Sequence, residues 1–295
     1  MDNSMFYEVS PNSWEDAKRI GKRLSHHSLR FIFRGHADSK WGLKTSIERA
    51  TEKYLNDFSW IWYFENQIIE RFKSRAHQYI QSPPSDQDVI EWLSVIQHYG
   101  GPTRLLDFSE SFYIAAFFAI DAALEDSCVW AINEVAIENS ALLKIGLGVQ
   151  HEANKKVEYA QNYVLSSSKQ DDLVLSITPS RLNERLAVQK GRFLFPCNIA
   201  KGFEENLCST FNFPFVTLKS ENATPMKSEK LEEIVTNPNT WPSVVKINLS
   251  KGCYREAIRD LYTMNIDSAS LFPGLEGFAK SLNFIMRKSN YEDIV

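Results

Sequence analysis

Apolar and polar residues alternate between positions 29 and 35, which is typical of a β-strand with one buried face. Phe31 and Phe33 lie on one side of that strand, and Ile32 and Arg34 lie on the other. The arginine therefore shares a face with an apolar residue instead of standing in a run of charges. A guanidinium in that setting either forms a salt bridge inside the fold or binds a phosphate or carboxylate of a ligand with two parallel N–H groups.

In the segments that follow, the spacing of apolar residues is typical of helices. Apolar residues three and four positions apart predict one long helix over 54–80. Glu65 interrupts its apolar face, and we interpret it either as a carboxylate that reaches solvent or as the buried partner of a site arginine. A second helix is expected to start at a Ser85 cap and to end at Gly100.

A third helix, with alanines on its inner face, is predicted to begin at a Ser109 cap after a short strand at 103–108. The other predicted elements are strands at 128–137, 173–177, 192–195, 215–218 and 244–249, and helices after Ser13, within 151–172, at 254–264 and from Pro273 to about Lys288. Short strands mixed with helices, without a regular βαβ order, indicate an α+β fold with a small mixed or antiparallel sheet.

The whole chain, 1–295, is expected to form a single domain. Its core motifs fall at about 20–130. A helical insertion packed on the sheet is expected at about 140–180 and 200–242, and a C-terminal strand and helices at 243–288.

Composition narrows the classes of function. Aromatic residues make up 13% of the chain, and they serve as core fillers or as stacking surfaces. The formal net charge of −4 removes a whole-chain basic field, so any nucleotide or nucleic acid has to be held by a local group of cations. The four cysteines show no zinc spacing and are interpreted as small buried hydrophobes. Without a signal-like start or a long apolar run, a cytoplasmic protein with no membrane segment is expected.

Two segments carry more polar chemistry than a fold requires. The first is the strand end 33–36, Phe-Arg-Gly-His, where Gly35 lets a ligand approach the backbone. The second is 97–109, which gathers amide, imidazole, phenol, hydroxyl, guanidinium and carboxylate groups around a helix-to-strand turn. Loops held by rigid elements are where binding and catalysis concentrate.

Each residue of the second segment also has an ordinary structural interpretation. His98 suits a helix C-terminus, Arg104 and Asp107 suit a local ion pair, and Ser109 suits a helix cap. The sequence contains no dinucleotide-binding, P-loop, nucleophile-elbow or zinc-protease signature. Asp107, Glu110 and His98 leave a metal-dependent nuclease as a weakly supported alternative.

Together these segments resemble the FRG-domain family of bacterial and phage proteins. The aromatic-Arg-Gly triplet that names the family is 33–35 here, followed at family-like spacing by Trp41. The long family motif Gln-His-Tyr-Gly-x-Pro-Thr-Arg-Leu-Leu-Asp-(Trp/Phe) is matched by 97–108. Two weaker family-like patches lie at 183–193 and 271–277.

The order of these elements is in turn similar to an ADP-ribosyltransferase core. In such enzymes an Arg or His on the first strand holds NAD, a hydroxyl residue on the second orders the nicotinamide site, and a late Glu or Gln contacts the ribose. The resemblance implies that these roles fall on Arg34, Ser109 and Gln189, with His98 as a further catalytic candidate. Gln189 lacks the charge that stabilises an oxocarbenium ion. That charge is expected from one of three glutamates, Glu65, Glu184 or Glu276.

The implied function is an NAD-dependent ADP-ribosyltransferase-like toxin or anti-phage defence effector that modifies nucleic acid or protein. An antitoxin or regulatory partner is expected with it. The residues expected to bind NAD are Arg34, Gly35, Trp41, Gln97, Tyr99, Thr103, Arg104 and Asp107. A non-catalytic nucleotide or nucleic-acid binding module stays open as an alternative, beside the nuclease.

Overall fold

The computed structural model describes residues 6–26, 29–146, 153–179, 184–236 and 241–283. Within these ranges eight strands form one sheet. The strands are β1 Phe6–Val9, β2 Phe31–His36, β3 Leu106–Ser109, β4 Ser127–Asn133, β5 Val174–Ile177, β6 Gly191–Pro196, β7 Thr224–Met226 and β8 Val244–Leu249. The helices are α1 Trp14–Leu24, α2 Ser46–Tyr54, α3 Ile61–Ala76, α4 Val89–His98, α5 Phe112–Asp121, α6 Glu134–Ile145, α7 Ala153–Leu165, α8 Glu184–Val188, α9 Phe203–Thr210, α10 Ser228–Ile234, α11 Tyr254–Thr263, α12 Ser268–Leu271 and α13 Leu275–Ser281.

The strand order is β5-β6-β3-β2-β4-β8-β1-β7. Neighbours from β5 to β8 run antiparallel, whereas β1 runs parallel to both β8 and β7. The fold is therefore α+β with a mixed, mostly antiparallel sheet, as the sequence predicts. None of the described helices has the length and apolar character that crossing a bilayer requires.

Both faces of the sheet are covered, and the alternation in β2 decides which residue faces which layer. Phe33 packs edge-to-face on Phe112 of α5, at 5.9 Å between ring centroids. Ile32 packs on the opposite face, where α9 contributes Phe203. A third cluster joins α3, α4 and α7 to β5 and β6. Arg34 follows Ile32 by two positions and emerges on the α9 side.

The long helix predicted over 54–80 is wrong at its start. A separate helix, α2, ends at Tyr54, and α3 begins only at Ile61. Asn56 adopts a left-handed conformation with φ 51° in between, which breaks the helical path. The start of α2 is stabilised by a capping box, in which Thr45 and Glu48 exchange side-chain-to-backbone hydrogen bonds.

Two predicted caps lie on other residues. Asp88, not Ser85, caps α4 by accepting from the backbone of Glu91. Ser111, not Ser109, caps α5, and Ser109 is instead the last residue of β3.

Four further predictions about elements also need correction. The segment 128–137 divides into β4 and the start of α6, and 215–218 forms no strand within the described chain. The insertion expected to be helical at 200–242 also contains a strand, β7, which extends the sheet beside β1. The last predicted helix corresponds to α13, which begins at Leu275 instead of Pro273, and its expected end at Lys288 lies outside the described residues.

Candidate functional site

A cleft opens where β2 and β3 separate. The described sheet pairs these strands at one position, Phe33 with Ser109. Beyond that pair the strands diverge, and residues from both line a cavity of about 920 Å³. That volume is near the upper end of the roughly 300–1,000 Å³ typical of small-molecule sites.

Arg34 bridges the two diverging strands. Its Nη1 donates to the backbone carbonyl of Asp107 at 2.8 Å, and its Nε donates to Nε2 of His36 at 3.0 Å. The Asp107 carboxylate lies 3.9 Å from the same Nη1. Burial lowers the pKa of Arg34 and the charge of Arg49 lowers it further, while Asp107 opposes both. A guanidinium stays charged under such shifts, so the cleft carries a fixed cation at its centre.

His36 is neutral, and it is a site residue that the sequence prediction left out. Its Nε2 accepts from Arg34, so its proton resides on Nδ1, which lies 3.3 Å from the backbone oxygen of Trp41. Burial, and then the neighbouring charge of Arg34, lowers the pKa of His36 to about 3. Its position two residues after Arg34, on the same face of the strand, was the available signal.

Asp107 faces the cleft from β3 and is 54% exposed. Its Oδ2 accepts from Nε2 of Gln97 at 2.7 Å, and the Gln97 amide oxygen accepts from the hydroxyl of Thr103. Gln97 and Asp107 line the cleft, whereas Thr103 is fully buried behind them. Thr103 thus orients the amide that orients the carboxylate.

His98 and Tyr99, at the end of α4, lie in different environments. His98 lines the cleft, and burial followed by the charge of Arg185 lowers its pKa. Tyr99 packs against His98 at 4.8 Å between ring centroids, but it is 67% exposed and is not part of the cleft wall. Tyr99, which was expected to bind NAD, is therefore not brought into the cleft wall with the other site residues.

Arg104 lies in the interior and not in the cleft. It is fully buried, as is Glu65, and the pair is joined by hydrogen bonds from Nε at 2.9 and 2.8 Å and by a further one from Nη2. The guanidinium also lies 5.0 Å from the ring centroid of Phe195. Glu65 is thus the buried partner of an arginine, as one of its two interpretations held, but this arginine does not line the cleft.

Ser109 and Gln189 meet at the other end of the cleft. The Ser109 hydroxyl donates to the backbone oxygen of Gln189 at 2.7 Å and accepts from the backbone of Ser111 at 3.0 Å. The Gln189 amide donates to the backbone oxygen of Leu271 at 2.9 Å. Both residues line the cleft, and their bonds tie β3, the turn before β6 and α12 together.

The glutamates expected to supply a catalytic charge are placed elsewhere. Glu65 is engaged by Arg104, Glu276 pairs with Lys280 at 2.7 Å, and Glu184 is exposed on α8 outside the cleft wall. The carboxylates that do line the cleft are Glu52, Asp107 and Glu204.

The nuclease arrangement is not assembled either. Glu110 pairs with Arg192 at 2.5 Å instead of joining Asp107 and His98. Within the described ranges no group of three or more His, Cys, Asp or Glu side chains is placed to hold a metal ion.

Positive charge dominates the cleft. Six cationic side chains line it against three carboxylates, although the chain as a whole carries −4. The six are Arg34, Lys40, Lys44, Arg49, Arg185 and Lys219. Such a local excess favours an anionic ligand.

Comparison with known families agrees with the two motif segments. Residues 29–128 match the family model of the FRG domain. This segment, about a third of the chain, is similar to an FRG domain. No curated protein and no solved structure matches the chain.

The glycine of the FRG triplet is required by packing. A Cβ on Gly35 would lie 2.0 Å from the backbone oxygen of Ala115 and 2.5 Å from the backbone nitrogen of Ala119, both in α5. The triplet thus combines a core aromatic, a cleft arginine and a position at which α5 lies directly on the strand.

The cleft extends beyond the FRG domain match. Arg185, Gln189, Glu204 and Lys219 line it from residues after 128. The family-like patch at 183–193 supplies two of these, although its first residue, Asn183, lies outside the described residues. Arg185 stacks on Phe272 at 4.5 Å and is a site residue that the sequence prediction did not select.

Proposed function

We propose that the cleft binds NAD and that the chain transfers ADP-ribose from it to a nucleic acid or a protein. One observation carries this proposal. β2, β3 and β6 are direct neighbours in the sheet, and Arg34, Ser109 and Gln189, one associated with each strand, line a single cleft. Those three residues are the ones that resemblance to an ADP-ribosyltransferase core assigns to NAD.

The residues present fit a dinucleotide. Arg34 and Arg185 both lie near Asp107, whose charge opposes the pKa depression that burial causes in each. Two guanidinium groups near one carboxylate in the same cleft suit a pyrophosphate, because each can donate two parallel hydrogen bonds. The Nη2 atom of Arg34 has no hydrogen-bond partner among the described residues, so it is available to a ligand.

Asp107 is proposed to supply the negative charge that the three glutamates were expected to provide. In ADP-ribosyl transfer the bond between the ribose and nicotinamide breaks, and nicotinamide leaves with the bonding electrons. The ribosyl group becomes positively charged until an acceptor nucleophile adds and loses its proton. A carboxylate held in place before the reaction stabilises that charge without reorganisation, and Gln97 holds Asp107 in this way.

Nicotinamide release from NAD tests the proposal. The purified chain is incubated with NAD and cell lysate, and free nicotinamide is quantified for the wild type, Arg34→Ala and Arg34→Lys. The rate of nicotinamide release is expected to fall at least about 100-fold in both variants. Alanine removes the guanidinium, and lysine cannot reproduce its two parallel hydrogen bonds. Arg255→Ala, an exposed arginine on α11 outside the cleft, is the control. No release by the wild type with any lysate fraction would refute the enzymatic proposal.

A toxin or anti-phage effector role is proposed on the same basis. Unrestrained ADP-ribosylation of nucleic acid or protein would harm the host, so a neutralising antitoxin or regulatory partner is expected. Expression of the wild type is predicted to arrest growth, and Arg34→Ala is predicted to relieve the arrest. Equal growth arrest by both would contradict this role.

A non-catalytic nucleotide-binding module is the second candidate. It is favoured by the position of the three glutamates outside the cleft, while six cations line it. Calorimetric binding of NAD or another nucleotide without any nicotinamide release would support this candidate over the transferase.

A further inference from the structure

We infer that the end of the cleft around Trp41 binds single-stranded nucleic acid, and that this nucleic acid is the acceptor of ADP-ribose. The acceptor role rests on the proposed function, whereas the binding does not. The inference is carried by an exposed indole that is fixed in place among unpaired cations from two loops.

Trp41 is exposed although its loop is held firmly. Its side chain is 55% exposed and lines the cleft between β2 and α2. Its backbone N–H donates to the backbone oxygen of Asp38 at 3.1 Å, and its backbone oxygen faces Nδ1 of His36 at 3.3 Å. The His36 ring lies 6.2 Å from the indole between centroids and is tilted by 65°, so it is not stacked on the indole, which stays more than half exposed to an incoming aromatic group.

Four cations surround this tryptophan along the cleft wall. Lys40 and Lys219 are exposed and form no ion pair in the described part of the chain. Arg49 donates to the backbone oxygen of Lys44 at 2.6 Å, so its charge is also not neutralised by a carboxylate. Lys44 alone pairs with an acid, Glu52, at 2.6 Å. Against the carboxylates of Glu52 and Glu204, the four cations leave the wall near Trp41 with a net positive charge of about two.

Glu204 joins the two loops that carry these groups. One carboxylate oxygen accepts from the backbone of Leu43 at 2.8 Å, and the other accepts from the backbone of Leu218 at 3.0 Å. Gly42 permits this approach, since a Cβ there would lie 2.3 Å from the carboxylate. Because its oxygens serve the backbone, Glu204 fixes Lys44 and Lys219 on a single surface.

This combination favours a single strand of nucleic acid over a protein. Cations along a groove bind successive phosphates, and an aromatic side chain stacks an unpaired base. Bases in a duplex are already stacked on each other, so they cannot use the indole. An acidic peptide would use the cations but would leave Trp41 without a partner. Because the whole chain carries a net charge of −4, the attraction for a polyanion comes from this local group of cations.

Fluorescence anisotropy with a dye-labelled 12-nucleotide oligomer, as DNA and as RNA, tests the binding without NAD. Trp41→Ala is expected to weaken affinity about tenfold, and Trp41→Phe is expected to restore most of it. Trp60→Ala is the matched control, because Trp60 is 62% exposed and lies outside the cleft. Lys219→Glu is compared in the same way with Lys22→Glu, an exposed lysine of α1. Equal effects of the Trp41 and Trp60 substitutions would overturn the inference.

Salt provides an independent readout. About three phosphate contacts on a single strand predict a roughly 20-fold loss of affinity between 50 and 200 mM salt. An affinity that does not change with salt would contradict phosphate recognition. Thermal unfolding of each variant confirms that a loss of affinity does not come from a loss of folding.

Two further measurements separate this inference from the proposed function. If calorimetry detects NAD binding but no oligomer binds, the inference fails and the proposed function stands. If the oligomer binds and NAD does not, the acceptor role fails and the binding site stands. Lysate is also incubated with labelled NAD and the chain, and the labelled macromolecules are then digested. Release of the label by nuclease supports nucleic acid as the acceptor, whereas release by protease alone overturns this assignment.

Discussion

Arg34 donates a hydrogen bond from its Nε to Nε2 of His36, at 3.0 Å. Only the neutral imidazole accepts this bond, because a protonated ring has a hydrogen on both nitrogens. The orientation of the cleft arginine therefore depends on a histidine that stays unprotonated.

The stability of the chain is expected to depend on pH through His36. Burial lowers its folded pKa to about 3, while the unfolded value is near 6.5. The unfolded state binds more protons between these values, so the stabilising contribution is complete above pH 6.5 and is lost as the pH falls towards 3. Between pH 7 and 5 the wild type should lose about 2 kcal/mol of unfolding free energy more than His36→Asn does. Urea unfolding at both pH values measures this, and identical pH dependence in the two proteins would contradict it.

Replacing Gly35 with alanine is expected to destabilise the fold by about 1–3 kcal/mol, because the new methyl group overlaps the backbone of α5. Gly252→Ala is the control, since its Cβ would meet nothing closer than 3.7 Å. Thermal unfolding should separate the two variants by several degrees. Equal melting temperatures would mean that α5 does not press on the strand as described.

The buried pair of Glu65 and Arg104 is expected to behave as a unit. Glu65→Ala or Arg104→Ala should each cost about 3–5 kcal/mol, because each leaves an unpaired charge in the core. The double variant Glu65→Leu/Arg104→Met should cost clearly less than the sum of the two single changes. Denaturant unfolding of the four proteins gives the coupling energy. Additive effects would show that the two side chains do not depend on each other.

Asp107→Asn distinguishes a catalytic carboxylate from a structural one. The substituted amide would keep an oxygen for Gln97 but would remove a negative charge that lies 3.9 Å from Arg34. Nicotinamide release is therefore expected to fall about 100-fold, while the affinity for NAD stays equal or tightens. Steady-state kinetics and calorimetry on the same preparation check both parts. Weaker NAD binding with an unchanged rate of release would place Asp107 in binding and not in catalysis.

Much of the fold follows from periodicity. The alternation that predicts β2 also places Phe33 in the core and Arg34 in the cleft. Helix α4 buries apolar residues that recur three and four positions apart, Val89, Trp92, Leu93 and Ile96. These elements are predictable because each has one strongly apolar face.

The roles inside the second motif were harder to predict, because neighbouring polar residues have opposite environments. Asp107 is 54% exposed, whereas Arg104, three positions earlier, is fully buried. The partner of Arg104 lies 39 positions away in α3, and a sequence alone does not show which of several acids will reach it. The capping box at Thr45, by contrast, has a recognisable Thr-x-x-Glu signature that could have marked the start of α2.

The strand order has a consequence for how the segment that matches the FRG domain can be studied. The matched segment 29–128 holds β2, β3 and the first residues of β4, but β6 and β8, which flank this trio on either side, come from later in the chain. A fragment cut at the family boundaries would expose two hydrogen-bonding edges, on β3 and on β4. Exposed edges recruit strands from other molecules, so such a fragment should aggregate. The unit that folds and can be assayed is accordingly longer than the unit that sequence comparison outlines.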